Sequence, residues 1–307
     1  MDQDTVKAPK KKIPVILDTD IGDDIDDTWA LAMMLKCPEL DVKLVVSDTG
    51  DTTYRAQIAA KLLQIAGRTD VPVGVGLPFG TRLTRRQAGW LEGYELADYP
   101  GTVHEDGVDA LISTIMDSPE PMTLVCIGPV PNIGEALSRR PEIAHKARFV
   151  GMHGSVRKGY GGSPEISAEC NVVNHTPACQ KVFTAPWDVT ITPLDTCGIV
   201  HLRGAKYQKV RDCKDPVARA VIDNYRVWAK DTGANPEVAS STLFDTVAVY
   251  LAFAEDLLGM ERLGIRVTDD GYTVIDEDGK LVNCAMQWKD LEAFEDFLVD
   301  RLIGPMP

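Results

Sequence analysis

The chain has 307 residues, 44% of them hydrophobic and 25% charged, a length that buries roughly three quarters of the surface exposed on unfolding. A net charge of -14 excludes a surface made to wrap a nucleic-acid backbone or to lie on an anionic membrane, and favours a small-molecule substrate. No apolar run approaches the roughly 20 residues that span a bilayer, so a soluble, cytoplasmic protein is expected.

Residues 1–12 carry lysines and no apolar signal-peptide core, and are expected to form a disordered tail. Residues 13–17 read as a strand that runs into Asp18-Thr19-Asp20-Ile21-Gly22-Asp23-Asp24-Ile25-Asp26-Asp27, six aspartates in ten residues. Unit charges about 4 Å apart interact by roughly 4 kcal/mol at an effective dielectric of about 20. Such carboxylates either splay into water or hold a hard cation. Asp26 or Asp27 could also cap the helix expected from Thr28 onward.

Residues 42–46 read as a second strand, 52–66 as a helix closed by Gly67, and 71–75 as a third strand. Residues 76–101 keep no steady period and are expected to form a loop or lid, whose Trp90 and Tyr94 either close over a ligand or pack on the surface. His104-Glu105-Asp106-Gly107 precedes a helix to about Met116, which is followed by an apolar strand over 122–127 ending in Gly128-Pro129. Next come a helix over 131–138, a strand over 148–152, a loop over 159–164, a helix over 177–183, a strand over 189–191 and an amphipathic helix over 217–230. The last third offers a helix over 241–254, strands over 272–275 and 280–284 joined as a hairpin through Asp278-Gly279, and a helix over 291–302. Alternation of this kind implies an α/β fold in one domain over 13–307, with an open, mostly parallel sheet and helices on both faces. The seven cysteines (Cys37, Cys126, Cys170, Cys179, Cys197, Cys213 and Cys284) form no Cys-x-x-Cys pair, so reduced thiols are expected and a zinc site is not.

In open α/β sheets ligands sit beyond the carboxyl ends of the strands. The polar residues gather there: the acidic stretch after the first strand, Ser47 to Asp51 after the second, Gly128-Pro129 after the fourth, and Met152-His153-Gly154 after the fifth. No Gly-x-Gly-x-x-Gly or Gly-Lys-Ser/Thr occurs, and the acidic stretch lacks the ordered ligand spacing of an EF-hand. What remains is an oxygen-rich site for Ca²⁺ or Mg²⁺ assembled from several loops.

Asp18-Thr19-Asp20-Ile21-Gly22 with Asp26-Asp27 resembles the N-terminal signature of the inosine-uridine-preferring nucleoside hydrolase family. Thr123-Leu124-Val125-Cys126-Ile127-Gly128-Pro129 through Asn132, the strand ending at Met152, Ala168-Glu169-Cys170-Asn171 followed by Pro177-Ala178, and Phe244-Asp245-Thr246-Val247-Ala248 resemble its later motifs in the same order. The resemblance implies a Ca²⁺-dependent N-ribohydrolase on a Rossmann-like scaffold, cleaving ribonucleosides or related N-ribosides to ribose and free base, as a homodimer or homotetramer. By position it implies that Asp20, Asp27, Asp245 and the main-chain carbonyl of Ile127 ligate the metal. Asp26 becomes the base that activates water. Asp24 is the alternative, because two more residues follow Gly22 than in the shorter family motif. Glu169, Asn171 and Asp245 are expected on the ribose hydroxyls, Met152 along the sugar pocket, and Asp51, where the family commonly has asparagine, at the substrate.

Ser163 falls near another expected asparagine, and Phe244 stands where a histidine often precedes the last metal aspartate. A phenyl ring cannot protonate a departing base; His104, His153, His175 or Tyr160 could, or Trp90, Tyr225 or Trp228 could stack on it. These departures keep a second reading open, a nucleoside- or sugar-binding protein that retained the pocket and lost turnover. A third is a phosphohydrolase, because Asp-x-Asp follows a first strand, although Ile21-Gly22 then departs from that motif.

Overall fold

The computed structural model describes residues 11–80 and 84–307; residues 1–10, most of the expected tail, lie outside them. The strands are β1 (Ile13–Thr19), β2 (Leu40–Ser47), β3 (Val73–Val75), β4 (Val103–His104), β5 (Met122–Cys126), β6 (Ala147–Met152), β7 (Val189–Thr192), β8 (Leu258–Val267), β9 (Thr273–Ile275) and β10 (Lys280–Trp288). They form one sheet in the order β4-β3-β2-β1-β5-β6-β7-β10-β8-β9. Neighbours from β4 through β10 run parallel, and β8 and β9 are added antiparallel at the far edge. The sheet is therefore open and mostly parallel, as the alternation of elements implies.

Side chains on successive strand residues point to opposite faces, and the sheet uses both. Along β1, Val15 and Leu17 join one buried apolar cluster and Ile16 the other. The first cluster is completed by α1 (Asp26–Lys36), α2 (Thr52–Ile65), and four later helices described below; the second by α3 (Gly107–Asp117), α4 (Pro131–Arg139) and, after the short α5 (Cys170–Asn174), by α6 (Thr176–Thr184). After α7 (Leu194–Cys197), the helices α8 (Gly204–Arg211), α9 (Pro216–Thr232), α10 (Thr246–Leu251) and α11 (Leu291–Ile303) return to the first face. Each fully buried Val, Leu or Ile contributes roughly 1.5–3 kcal/mol. One charged pair is built into this layer: the fully buried Lys36 ammonium on α1 lies 2.7 Å from Asp215, the N-cap of α9, and donates to the Gly304 carbonyl at 2.5 Å.

Two expectations are corrected. The helix over 241–254 shrinks to α10, because the backbone before it bonds elsewhere: Ser240 N–H donates to the Leu202 carbonyl and Leu243 N–H to that of Val200. The expected hairpin between β9 and β10 does not form, because β8 lies between them and pairs with both. The chain instead crosses over β8. Asp276 N–H donates to the Gly264 carbonyl, and a Cβ on Gly264 would sit 2.2 Å from the Asp276 carbonyl oxygen, so only glycine allows the crossing.

β1 and β5 are adjacent, and the strand order reverses between them. This is where doubly wound sheets bind ligands. The acidic stretch leaves β1 at this point and Ile127-Gly128 leaves β5 beside it.

Candidate active site

The acidic stretch is shaped by hydrogen bonds to its own ends. Thr19 accepts from Ile21 N–H at 3.1 Å and donates to the Asp27 carboxylate. Asp26 and Asp27 are the first two residues of α1, where the helix dipole favours negative charge. Neither is the N-cap; that position is Ile25, which has no side-chain cap bond. Asp18 is fully buried, and its Oδ1 accepts from the Asn132 amide at 2.7 Å. Asn132 also donates to the Ser47 carbonyl and accepts from Leu77 N–H, so it fastens the ends of β1 and β2 to the loop after β3.

The backbone carbonyls of Asp23 and Asp24 are satisfied by other elements. Trp228 Nε1 on α9 donates to the Asp23 carbonyl at 2.8 Å, and Gln87 Nε2 donates to the Asp24 carbonyl at 2.6 Å. Gln87 is fully buried; its N–H donates to the Tyr54 hydroxyl, and its Oε1 accepts from Asn224 at 2.6 Å. A buried Arg55 donates to the Thr49 and Ile21 carbonyls and supplies positive charge behind the loop. Close approach is possible at Gly128 only without a side chain, since a Cβ there would lie 2.8 Å from both Asp20 N and Asp48 Oδ2.

Above these loops lies an open cavity. Asp20, Asp24, Asp26, Asp27, Ile127, Met152, Glu169, Asn171 and Asp245, all singled out from the sequence, line it together with Phe244, Asp23, Arg86, Tyr160 and Cys170. Asp51 does not. Its carboxylate caps α2 by accepting from Tyr54 N–H at 3.1 Å and pairs with Arg85. Of the candidates for the departing base, Tyr160 lines the cavity and His104, His153, His175, Trp90, Tyr225 and Trp228 do not. Trp90 packs under the Lys61 ammonium at 4.8 Å, and Tyr225 lies against Trp29 and Trp228. His175 stacks on Phe79 at 3.8 Å, and His153 is fully buried.

Carboxyl oxygens of Asp26, Asp27 and Asp245 come within 4.8 Å of one another, with these residues only 4%, 2% and 3% exposed. Burial pushes all three well above the usual carboxylate range, and the charges of neighbouring aspartates push the same way. Burial likewise raises Asp20 to about 6. Behind them, burial raises Asp18 to about 7 and pushes its neighbour Asp48 well above the usual range, with neighbouring aspartate charges adding to both. Oxygen donors converging in a buried, mutually repelling set fit a hard divalent cation, which would relieve the repulsion. The Ile127 carbonyl accepts from Asn171 Nδ2 at 2.9 Å and keeps a second lone pair.

Glu169 is the N-cap of α5, and its carboxylate accepts from the N–H groups of Gly154, Asn171 and Val172. Burial still raises it to about 7. Three of its roughly four acceptor sites are thus used, leaving one for the cavity. Asn171 donates both amide hydrogens, to the Ile127 and Met152 carbonyls, so its own carbonyl oxygen remains for a ligand.

Residues 15–299 match the family described as Inosine-uridine preferring nucleoside hydrolase. The chain belongs to that family.

This nucleoside hydrolase is 30% identical to the pyrimidine-specific ribonucleoside hydrolase RihA of Salmonella paratyphi B, over 94% of its own length and 98% of that protein. It is 28% identical to the non-specific ribonucleoside hydrolase RihC of Salmonella agona, over 87% and 89% respectively. Its fold is shared by a solved plant nucleoside hydrolase at a TM-score of 0.80, with 23% identity over 96% of this chain and 100% of the other. A purine-preferring ribonucleoside hydrolase from Gardnerella vaginalis matches at 0.78, with 22% identity over 95% and 99%. The nucleoside hydrolase is an enzyme that acts on N-glycosyl bonds. Arg86, which lines the cavity, and Gln87, which holds the Asp24 carbonyl beside it, are announced by no sequence motif, since each is positioned by tertiary contacts.

Proposed function

We propose that the chain hydrolyses ribonucleosides or related N-ribosides to ribose and free base with Ca²⁺ held by Asp20, Asp27, Asp245 and the Ile127 carbonyl. The convergence of Asp26, Asp27 and Asp245 in one buried set within the cavity carries this reading. When bound, the ion supplies positive charge that offsets the carboxylates and orients and acidifies a water. Asp26 takes that water's proton; it is buried beside Asp245, whereas Asp24 is exposed and spends one oxygen on Ile25 N–H. The remaining acceptor sites of Glu169 and Asn171 receive ribose hydroxyls, with Asp245 beside them and Met152 packing against the sugar. These fixed negative charges stabilise the oxocarbenium-like state as the glycosidic bond loosens.

The ten strands share one sheet, which supports reading residues 13–307 as one domain. Among the described residues no helix is long and apolar enough to cross a membrane. We further infer a homodimer or homotetramer working in the cytoplasm.

Ribose release is to be measured from purine, pyrimidine and nicotinamide ribosides, with Ca²⁺ and with a chelator. Chelator-sensitive release from at least one is expected. Calorimetric ribose binding without product would favour the binding-only reading, and phosphate release from a monoester instead would revive a phosphohydrolase.

A further inference from the structure

Phe244 removes the imidazole that could serve the departing base, and none of the five histidines lines the cavity. Among the described residues that line it, Arg86 is the one cation, set against seven carboxylates. Its Nη1 lies 3.3 Å from Asp23 Oδ1, which also accepts from Thr84 Oγ1 at 2.6 Å. Its chain neighbours are pinned too, Arg85 by Asp51 and Gln87 by Asp24, Tyr54 and Asn224.

The cavity has a deep and a shallow end. Asp26, Asp27 and Asp245 are at most 4% exposed, whereas the Arg86 side chain is 33% exposed and Tyr160 45%. At the shallow end the rings of Tyr160 and Phe244 meet edge to face, 6.2 Å apart. Arg86, Tyr160 and Phe244 line the same cavity as those carboxylates, so a nucleoside whose ribose occupied the deep carboxylates would present its base to this more exposed part of the lining.

We propose that Arg86 is the leaving-group residue of this enzyme, holding the departing base as an anion instead of protonating it. This rests on the hydrolase reading of the cavity. A guanidinium stays charged and does not surrender a proton, but it donates hydrogen bonds to a developing anion. The C1′–N bond breaks with its electron pair on the base nitrogen. The attacking water bonds through its oxygen to C1′ and gives its proton to Asp26, and the base anion takes a proton from solvent as it leaves. Tyr160 is less suited to this role, because its neutral hydroxyl, which accepts from Cys170 N–H at 3.0 Å, brings no positive charge to set against a developing anion.

The test compares uridine with p-nitrophenyl riboside, whose nitrophenolate leaves with little help. Arg86→Gln should lower kcat/KM on uridine by about 100-fold, the effect of removing one preorganised donor, and by at least tenfold less on the nitrophenyl riboside. Arg86→Lys should recover part of the loss. Equal losses on both substrates, no loss on either, or a leaving-group-dependent loss in Tyr160→Phe instead would overturn the assignment of Arg86. Absence of Ca²⁺-dependent activity on both substrates in the unaltered protein would overturn the hydrolase reading itself.

Discussion

The indole N–H of Trp228 donates to the main-chain carbonyl of Asp23 over 2.8 Å, joining α9 to the loop that carries the acidic residues. Gln87 does the same for the next carbonyl, that of Asp24. These two bonds hold the loop backbone just ahead of α1, which begins with Asp26 and Asp27.

Gln87→Leu should therefore act on stability and turnover together. Leaving the partly buried Asp24 carbonyl and the buried Asn224 amide without this partner costs roughly 1–3 kcal/mol. A displacement of the Asp26 carboxylate of a fraction of an ångström should lower kcat/KM roughly tenfold or more. Urea unfolding and steady-state kinetics on one nucleoside check both; unchanged kinetics would show that the loop holds its shape without Gln87.

Stability of the metal-free protein should depend on pH in an unusual direction. Burial raises Asp18 to about 7, Asp20 to about 6 and Glu169 to about 7, from ordinary values of 3.8, 3.8 and 4.5. The folded chain then binds more protons than the unfolded one between about pH 4 and 7. The stabilisation is present in full below the ordinary values and is lost as pH rises through the folded ones. In chelator the urea midpoint should fall from about pH 5 to about pH 8. Calcium favours the ionised carboxylates and should flatten or reverse that fall. A chelated protein more stable at the higher pH would contradict the shifts.

Lys36 offers a stability test away from the site. Removing the ammonium leaves the partly buried Asp215 carboxylate and the Gly304 carbonyl without it, and breaking a buried pair costs about 3–5 kcal/mol. Lys36→Ala should lower the urea midpoint accordingly. Metal affinity should stay the same, since Lys36 lies at the far end of α1 from Asp26 and Asp27.

The strands that position the site were legible because buried parallel strands read as apolar runs: β1, β2, β5, β6 and β7 lie within a residue or two of where the sequence suggests them. β8 was missed because Leu258–Val267 reads Leu-Gly-Met-Glu-Arg-Leu-Gly-Ile-Arg-Val, with its glycines and charges breaking the alternation. Its crossing by residues 276–279 is a tertiary event that looks locally like a hairpin turn. In the site, motif position points to nine residues that line the cavity, whereas the bonds of Asp51, to the start of α2 and to Arg85, depend on helix capping and a tertiary contact that motif position does not carry. Arg86 and Gln87 sit in a segment without periodicity, and their roles depend on partners far along the chain, Gln87 on Asn224 above all.

The most direct test of a calcium-dependent hydrolase built on these aspartates is titration of Ca²⁺ into the unaltered protein and into Asp27→Ala, followed calorimetrically and by ribose release. A saturating ion at about 100 times its dissociation constant should stabilise the unaltered fold by about 2.7 kcal/mol and switch on turnover. Asp27→Ala should lose both the binding heat and the activity. If Asp27→Ala still binds Ca²⁺ with the affinity of the unaltered protein, or if ribose release proceeds undiminished in chelator, the metal assignment is wrong.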